Sequence, residues 1–347
     1  MRLGQFELPN NLFVAPMAGV TDRPFRRLCR RLGAGHAVSE MVTSRRDLWH
    51  SLKTSRRLDH TGEPGPIAVQ IAGTDACMMS EAAAYNIDRG AQIIDINMGC
   101  PAKKVCNNWA GSALMRDEPL ALAIIEAVVA VCAPRSVPVT LKMRTGWSDD
   151  ERNAVRLARA AQEAGIALVT VHGRTREQGF KGAAEYDTIA AVKAALAIPV
   201  VANGDIDSPR KARDVLARTG ADAVMIGRAA QGRPWIFREI AHHLGSGGAA
   251  LAPPATADVR GWLVAHLYDH YALYGEECGV RSARKHIGWA LRSLPGGEVF
   301  RAEMNRIDTC AEQLARVADW LDRLADRYPL LPRLDVAANN DQILLRA

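Results

Sequence analysis

Short apolar runs alternate with longer amphipathic segments over the first two-thirds of the chain. Leu12–Pro16 (LFVAP), Ala37–Ser39, Ile67–Ile71 (IAVQI), Ile93–Asn97 (IIDIN), Val139–Met143 (VTLKM), Leu168–His172, Val200–Asn203 and Ala223–Ile226 are short and rich in β-branched residues, so they predict buried strands. Helical patterns separate them. Asp22 caps a helix with Pro24 in its first turn and Phe25, Leu28, Cys29 and Leu32 on one face. Asp75 caps a second, running to Ile87. Pro119–Cys132, Asp150–Ala164 and Tyr186–Leu196 follow, and Asp207 or Ser208 caps a helix that opens at Pro209. Apolar strands without clear alternation suit a parallel sheet covered on both faces. Eight strand–helix units therefore predict an α/β protein, a closed (β/α)8 TIM barrel over residues 1–244. An open doubly wound sheet is the alternative, disfavoured because no G-x-G-x-x-G follows the first strand.

The texture changes after residue 244. Residues 245–255 (GSGGAALAPPA) read as a linker, and 256–330 carry only helical periodicity, predicting a small all-helical domain. Residues 331–347 read as a loosely held tail. The longest apolar run, Leu120 to Ala133, is broken by Glu126 and too short to span a bilayer. No signal-peptide pattern opens the chain. Seven cysteines without CxxC or paired Cys/His spacing argue against a disulfide framework and against a metal site. A cytoplasmic monomer with no membrane and no protein partner is expected. The net charge of +6 permits a nucleic-acid partner without requiring one.

Barrel chemistry gathers at the carboxyl ends of strands. In strand order this chain puts there Pro16-Met17-Ala18, Glu40, Gln70, Asn97 and Cys100, Lys142, His172, Asn203-Gly204-Asp205 and Gly227-Arg228. The last two groups follow strands seven and eight, where barrels often bind phosphate on backbone N–H groups. Lys142, in the mouth, calls for an anion or for solvent. Together they favour a phosphorylated cofactor, with Gln70 able to hydrogen-bond a planar heterocycle and His172 a cofactor oxygen. The Ile93–Leu114 stretch adds a loop bearing Cys100, Lys103, Lys104, Cys106 and Trp109 beyond a strand. Gly99 is expected to take an unusual backbone angle there, and Trp109 to pack the loop down. Arg144, Arg174 and Arg176 are either grips on substrate phosphates or solvated charges.

These residues resemble the tRNA-dihydrouridine synthase family through APMAGVTD (Ala15–Asp22), VQIAG (Val69–Gly73), DINMGCP (Asp95–Pro101), LKMRTGW (Leu141–Trp147), VHGRTREQGFKG (Val171–Gly182), VANGDI (Val201–Ile206) and MIGRAAQGRPWIF (Met225–Phe237). The loop CPAKKVCNNWAGSALM resembles the B-type bacterial branch. The resemblance implies a barrel that binds FMN, is reduced by NADPH and acts on tRNA. It implies FMN contacts from Pro16, Met17, Ala18, Gln70, Lys142, His172, Asn203, Gly204, Asp205, Gly227 and Arg228. It makes Cys100 the proton donor and sets Asn97 and Arg144 against the target uridine. The branch suggests a D-loop uridine, around position sixteen or seventeen, swung out of its stack. In the helical domain Arg281, Arg284, Lys285 and His286 form a local basic cluster, read as an RNA contact or a solvated helix face. Two other readings share some of these residues: an FMN barrel reductase of a small pyrimidine or enone, and an RNA-binding protein with a vestigial flavin site.

Overall fold

A computed structural model describes residues 1–107 and 109–332, with the Lys104 side chain left out. The RNA contact expected from Lys104, and the tail beyond residue 332, lie outside the described residues. Barrel strands are β1 (Leu12–Val14), β2 in two pieces (His36–Ala37 and Val42–Thr43), β3 (Ala68–Ala72), β4 (Ile93–Met98), β5 (Val139–Arg144), β6 (Leu168–His172), β7 (Val200–Asn203) and β8 (Ala223–Ile226). Every ladder pairing among them is parallel. The first piece of β2 pairs with β1 (Phe13 opposite His36), and the second with β3 (Val42 opposite Ile71). A Val38–Ala68 bridge, with Ser39 N–H donating to Ala68 O at 3.0 Å, closes the sheet into a barrel. The predicted second strand, Ala37–Ser39, is thus the middle of a longer, interrupted one. The interruption releases Glu40, whose buried carboxylate accepts from Gly19 N–H at 2.5 Å.

Side chains alternate across the strands with period two, although the sequence reads as unbroken apolar runs. Ile94, Ile96, Leu141, Met143, Val169, Val171, Ala202, Val224 and Ile226 face the surrounding helices in one large core. Phe13, Ala68, Ile93, Leu168, Val201, Ala223 and Met225 form a separate inner cluster, joined by Leu3 and Leu8 of an N-terminal hairpin, Arg2–Leu3 paired with Phe6–Glu7. The inward positions nearer the carboxyl ends are polar: Gln70, Asp95, Asn97, Thr140, Lys142 and Asn203. Contacts between non-adjacent strands, such as Lys142 on β5 to Asn203 on β7 at 3.1 Å, show that these side chains meet inside the barrel. An apolar floor beneath a polar mouth is the gradient that an active site needs.

The caps form as the sequence predicts. Asp22 accepts from Phe25 N–H at 3.1 Å, Asp75 from Met78 N–H at 2.8 Å, and Ser208, not Asp207, from Lys211 N–H at 3.2 Å. After Gly245 come four helices, Thr256–Tyr274, Glu276–Leu291, Gly297–Met304 and Cys310–Arg327. Their core of Leu263, Leu267, Ala283, Ile287, Leu291, Val317, Leu321 and Leu324 includes Leu28, Leu32 and Trp235 from the barrel. At about 1.5–3 kcal/mol for each large apolar side chain buried, this shared core fixes the helices to the barrel's Arg23–Arg31 helix. Leu331 is buried and donates its N–H to Pro254 O, so the start of the expected loose tail is held down. Among the described residues no helix is long and apolar enough to cross a membrane.

Candidate active site

A chain of hydrogen bonds with only one self-consistent direction runs through the mouth. Gly99 N–H and Cys100 N–H can only donate, so Asn97 Oδ1 accepts both, at 3.2 and 3.0 Å. Asn97 Nδ2 then donates to Gln70 Oε1 at 2.7 Å, and Gln70 Nε2 donates to Asp95 Oδ2 at 2.6 Å. Thr140 Oγ1 donates to Asp95 Oδ1 at 2.6 Å. Burial pushes the Asp95 carboxyl up to about 6, against the pull of Thr140, Gln70 and the Lys142 charge. Asp95 was absent from the expected site; its signal lay in the DINMGCP motif, as an acid inside an apolar run. Gln70 and Asn97 are nearly consumed by this relay, which makes them positioning groups for the Cys100 loop.

Cys100 sits on that loop, partly exposed. Burial raises its thiol above the ordinary value, and the neighbouring Cys106 adds to this, against opposing pulls from Ala102 N–H, Arg144 and Lys142. The thiol is therefore held protonated, as a proton donor requires. Ser112 Oγ donates to Cys100 O at 2.8 Å and ties the loop back. The unusual backbone angle expected at Gly99 falls instead at Gly111 (φ +63°), where a Cβ would lie 2.9 Å from Cys100 O. Gly111→Ala should keep the fold and lower turnover by up to about 100-fold through displacement of the loop, read as steady-state rate against retained circular dichroism. Trp109 is 56 % exposed and does not pack the loop down; Lys103 beside it is exposed too.

Lys142 Nζ donates to Asn203 Oδ1, whose Nδ2 donates to Met225 O at 2.8 Å. Burial lowers Lys142 to about 8, with Arg144 pushing the same way and Asp95 and Cys100 opposing. His172 is pushed well below its ordinary range by burial and by the Arg144, Lys142, Arg174 and Arg228 charges, so the ring is neutral. Its Nε2 lies 3.4 Å from Arg174 Nη1, which can only donate, so the ring proton sits on Nδ1. Gly204 (φ +123°) passes so close that a Cβ there would lie 2.9 Å from His172 Cδ2. Asp205, Gly227 and Arg228 stand beside it, and Met17 reaches Gly227 from the Pro16-Met17-Ala18 turn. Of the expected cofactor set, Met17, Lys142, His172, Asn203, Gly204, Asp205, Gly227 and Arg228 are thus linked by contacts in the mouth.

The expected RNA contacts divide. Arg144 is 1 % exposed and donates to Gly99 O, Thr175 O and Gly179 O, bracing the Cys100 loop instead of standing free for a uridine. Arg174 is equally buried; it pairs bidentately with Asp205 at 3.0 and 2.6 Å and holds Lys181 O and Gly182 O, so it does not grip RNA phosphates. Arg176 lies over Trp147. The basic cluster is dispersed: Arg281 is solvated beside Glu277, Arg284 donates to Ile307 O, and Lys285 Nζ donates across to Gly19 O. His286 is 4 % exposed among Asp22, His266 and His270, off any RNA-facing surface. Consecutive side chains on a helix point in different directions, so Arg284, Lys285 and His286 cannot share one face, which a run of basic letters cannot show.

The family described as Dihydrouridine synthase (Dus) matches residues 13–325. The chain is 58 % identical over 338 residues to a tRNA-dihydrouridine synthase B of Xanthomonas campestris, covering 97 % of this chain and all of the relative. It is 59 % identical over 320 residues to that of Pseudomonas aeruginosa, covering 92 % and 95 %. Among solved structures it is similar to a 2-naphthoyl-CoA reductase complex, with TM-score 0.57 and 12 % identity over 96 % of this chain and 70 % of that one. It is also similar to an old yellow enzyme homologue from Zymomonas mobilis, with TM-score 0.50 and 14 % identity over 72 % and 92 %. These distant likenesses agree on the barrel, and the two close ones share nearly the full length: the chain belongs to the dihydrouridine synthase family, in its B-type branch.

Proposed function

We propose that this protein reduces the C5–C6 double bond of a uridine in tRNA to 5,6-dihydrouridine, using FMN in the barrel mouth and NADPH as reductant. The observation that carries the reading is the Cys100 loop, anchored by the Asn97–Gln70–Asp95 relay in a mouth that also holds Lys142 and His172. The residues fit a flavin phosphate and ring. Gly204, where a Cβ would lie 2.9 Å from His172 and 2.8 Å from Ala184, lets the backbone after β7 close on the neutral imidazole. Lys142 has a neutral amide oxygen as its partner and needs an anion more than that. Gly204, Gly227 and Arg228 would hold the phosphate, with the Asp205 carboxylate orienting Arg228; Pro16, Met17, Ala18, Lys142 and His172 would hold the ring, with Gln70 behind them in the relay. When bound, FMN would supply a hydride for C6, drawn from NADPH.

Cys100 supplies the proton to C5, so a hydride and a proton together saturate the bond. Lys142 stabilises the negative charge that develops in the mouth. The relay and Arg144 keep the thiol in place while the base, swung out of its RNA stack at a cost of a few kcal/mol, occupies the mouth. Lys103 and Trp109 on the same loop offer a cation and an aromatic face to the strand around that base. The target is a D-loop uridine, around position sixteen or seventeen, by likeness to the B-type branch. The test is to reduce the bound flavin with NADPH under anaerobic conditions and add unmodified tRNA. Prompt reoxidation by tRNA and none by free uridine is expected; reoxidation by a small enone alone would overturn the reading.

Lys142 also predicts a pH profile. With the lysine at about 8 in the free protein, a bound anion raises it back toward its ordinary value. The complex then holds one proton more than the free protein above pH 8, so binding weakens as pH rises. FMN affinity should fall about tenfold per pH unit above pH 8, and Lys142→Met should flatten the profile, both measured by flavin fluorescence titration.

A further inference from the structure

We propose that Asp22, His270 and His286 bind one divalent transition-metal ion, zinc by the chemistry of its donors, at the joint between barrel and helices. Asp22 comes from the turn after β1, His270 from the Thr256–Tyr274 helix and His286 from the Glu276–Leu291 helix. All three are at most 4 % exposed, and their ligand atoms lie within 4.8 Å of one another. Asp22 Oδ1 is spent on capping Phe25 N–H, while Oδ2 faces His270 Nδ1 at 3.4 Å and the Tyr274 hydroxyl also stands beside the carboxylate. His270 Nδ1 and His286 Nε2 make no hydrogen bond, and His266, one helical turn before His270, has only the Pro24 backbone to pair with. Unpaired polar atoms this deeply buried need an occupant between them.

The proton positions narrow the choice. Ser282 Oγ lies 2.6 Å from Cys278 O, which can only accept, so the hydroxyl proton is spent there. Ser282 must then accept from His270 Nε2–H at 2.6 Å. That fixes the ring with its Nδ1 lone pair facing Asp22 Oδ2 at 3.4 Å. Two acceptors facing each other in a dry interior require a proton or a cation. A proton on His270 would satisfy that pair and leave His286 and His266 unmatched; one metal ion satisfies Asp22, His270 and His286 together. Ligand atoms around 2.05 Å from a tetrahedral ion stand about 3.3 Å apart, close to the Asp22–His270 spacing. His286, inside the 4.8 Å that bounds the group, needs at most a small ring swing to join, and His266 or a water would fill the fourth position. Ser282 is the outer partner that a ligating histidine normally has. Two imidazoles and a carboxylate suit zinc and exclude the hard alkaline-earth ions. The ion would staple two C-terminal helices to the turn that also carries Pro16-Met17-Ala18.

The test uses untagged full-length protein, stripped with a chelator, reloaded with zinc alone and desalted. One zinc per chain is expected by mass spectrometry, with a melting temperature roughly 5 °C above the stripped protein. Asp22→Asn keeps an oxygen for the helix cap; it and His286→Gln should each lower bound zinc at least tenfold. Cobalt in place of zinc should give a tetrahedral visible spectrum without a thiolate charge-transfer band. Less than a tenth of an equivalent of zinc in the wild type, or undiminished zinc in both variants, would overturn the site. So would a thiolate band, which would move the metal to the cysteines. If both variants fail to fold, the wild-type stoichiometry and cobalt spectrum decide alone.

Discussion

Cys100→Ala is expected to slow tRNA-driven flavin reoxidation by about 10²–10⁴-fold while flavin content and its reduction by NADPH stay near wild type. The separation follows from how the residue is held. Its backbone N–H, bonded to Asn97 Oδ1, and its carbonyl, bonded to Ser112, are retained in the variant, so the loop keeps its shape. Only the thiol proton is lost. Because burial raises the thiol, it is protonated throughout the neutral range, and wild-type activity should show no thiol titration below pH 8. Cys100→Ser restores the shape with a far weaker acid and should remain slow. Equal losses in flavin reduction and tRNA-driven reoxidation would mean that Cys100 maintains the cofactor site and does not deliver the proton.

Asn97→Ala provides the complementary experiment. It removes the acceptor for Gly99 and Cys100 N–H and frees Gln70 Oε1, leaving the thiol present but unanchored. A misplacement near 1 Å can cost up to about 100-fold in rate, so a loss intermediate between wild type and Cys100→Ala is expected in single-turnover kinetics.

The barrel was legible in the sequence because its signals are local. Eight β-branched runs, the capping residues Asp22, Asp75 and Ser208, and proline at helix starts each act within a few positions. The strand-end residues were legible for a related reason: strand periodicity and the parallel connection rule place Lys142, His172 and Asn203 at one rim. Burial of charge was not legible. Arg144 and Arg174 read as RNA grips because a sequence lists a guanidinium without its partners, and the carbonyls that hold Arg144 lie up to forty-five positions away. The Asp22–His270–His286 group was invisible for the same reason, as it joins residues about 250 positions apart; the His266-x3-His270 spacing on a helix was the one available hint. Polar residues next to a motif divide into those that touch substrate and those that hold the first group in place, and only contacts separate them.

Asp205 shows the second role most strongly, and Asp205→Ala is expected to destabilise the protein by about 4 kcal/mol and release bound flavin. Its carboxylate pairs bidentately with Arg174, accepts from Ala184 N–H at 2.8 Å and meets Arg228 at 3.0 Å. Removing it leaves the 2 %-exposed Arg174 guanidinium as an uncompensated buried charge, which costs about 3–5 kcal/mol. The lower end applies because Asp205 itself is 28 % exposed. Alanine also inherits a left-handed backbone (φ +47°) that costs it roughly 1 kcal/mol more than it costs aspartate. Asp205→Asn keeps shape, tolerates that backbone and retains an oxygen for Arg174 or Ala184 N–H, so in urea melts it should lose less than Asp205→Ala. Adding Arg174→Met to Asp205→Ala removes the stranded charge and should recover more than half of the loss. Burial raises the Asp205 carboxyl, but Arg174, Ala184 N–H and Arg228 together hold it below the ordinary range. A depressed carboxyl contributes stability that is present above its unfolded value, near pH 4, and is lost as pH falls through the folded one. Wild-type stability should therefore decline below pH 4 more steeply than that of the double variant. Parallel acid limbs in the two proteins would show that the Asp205–Arg174 pair does not hold this loop.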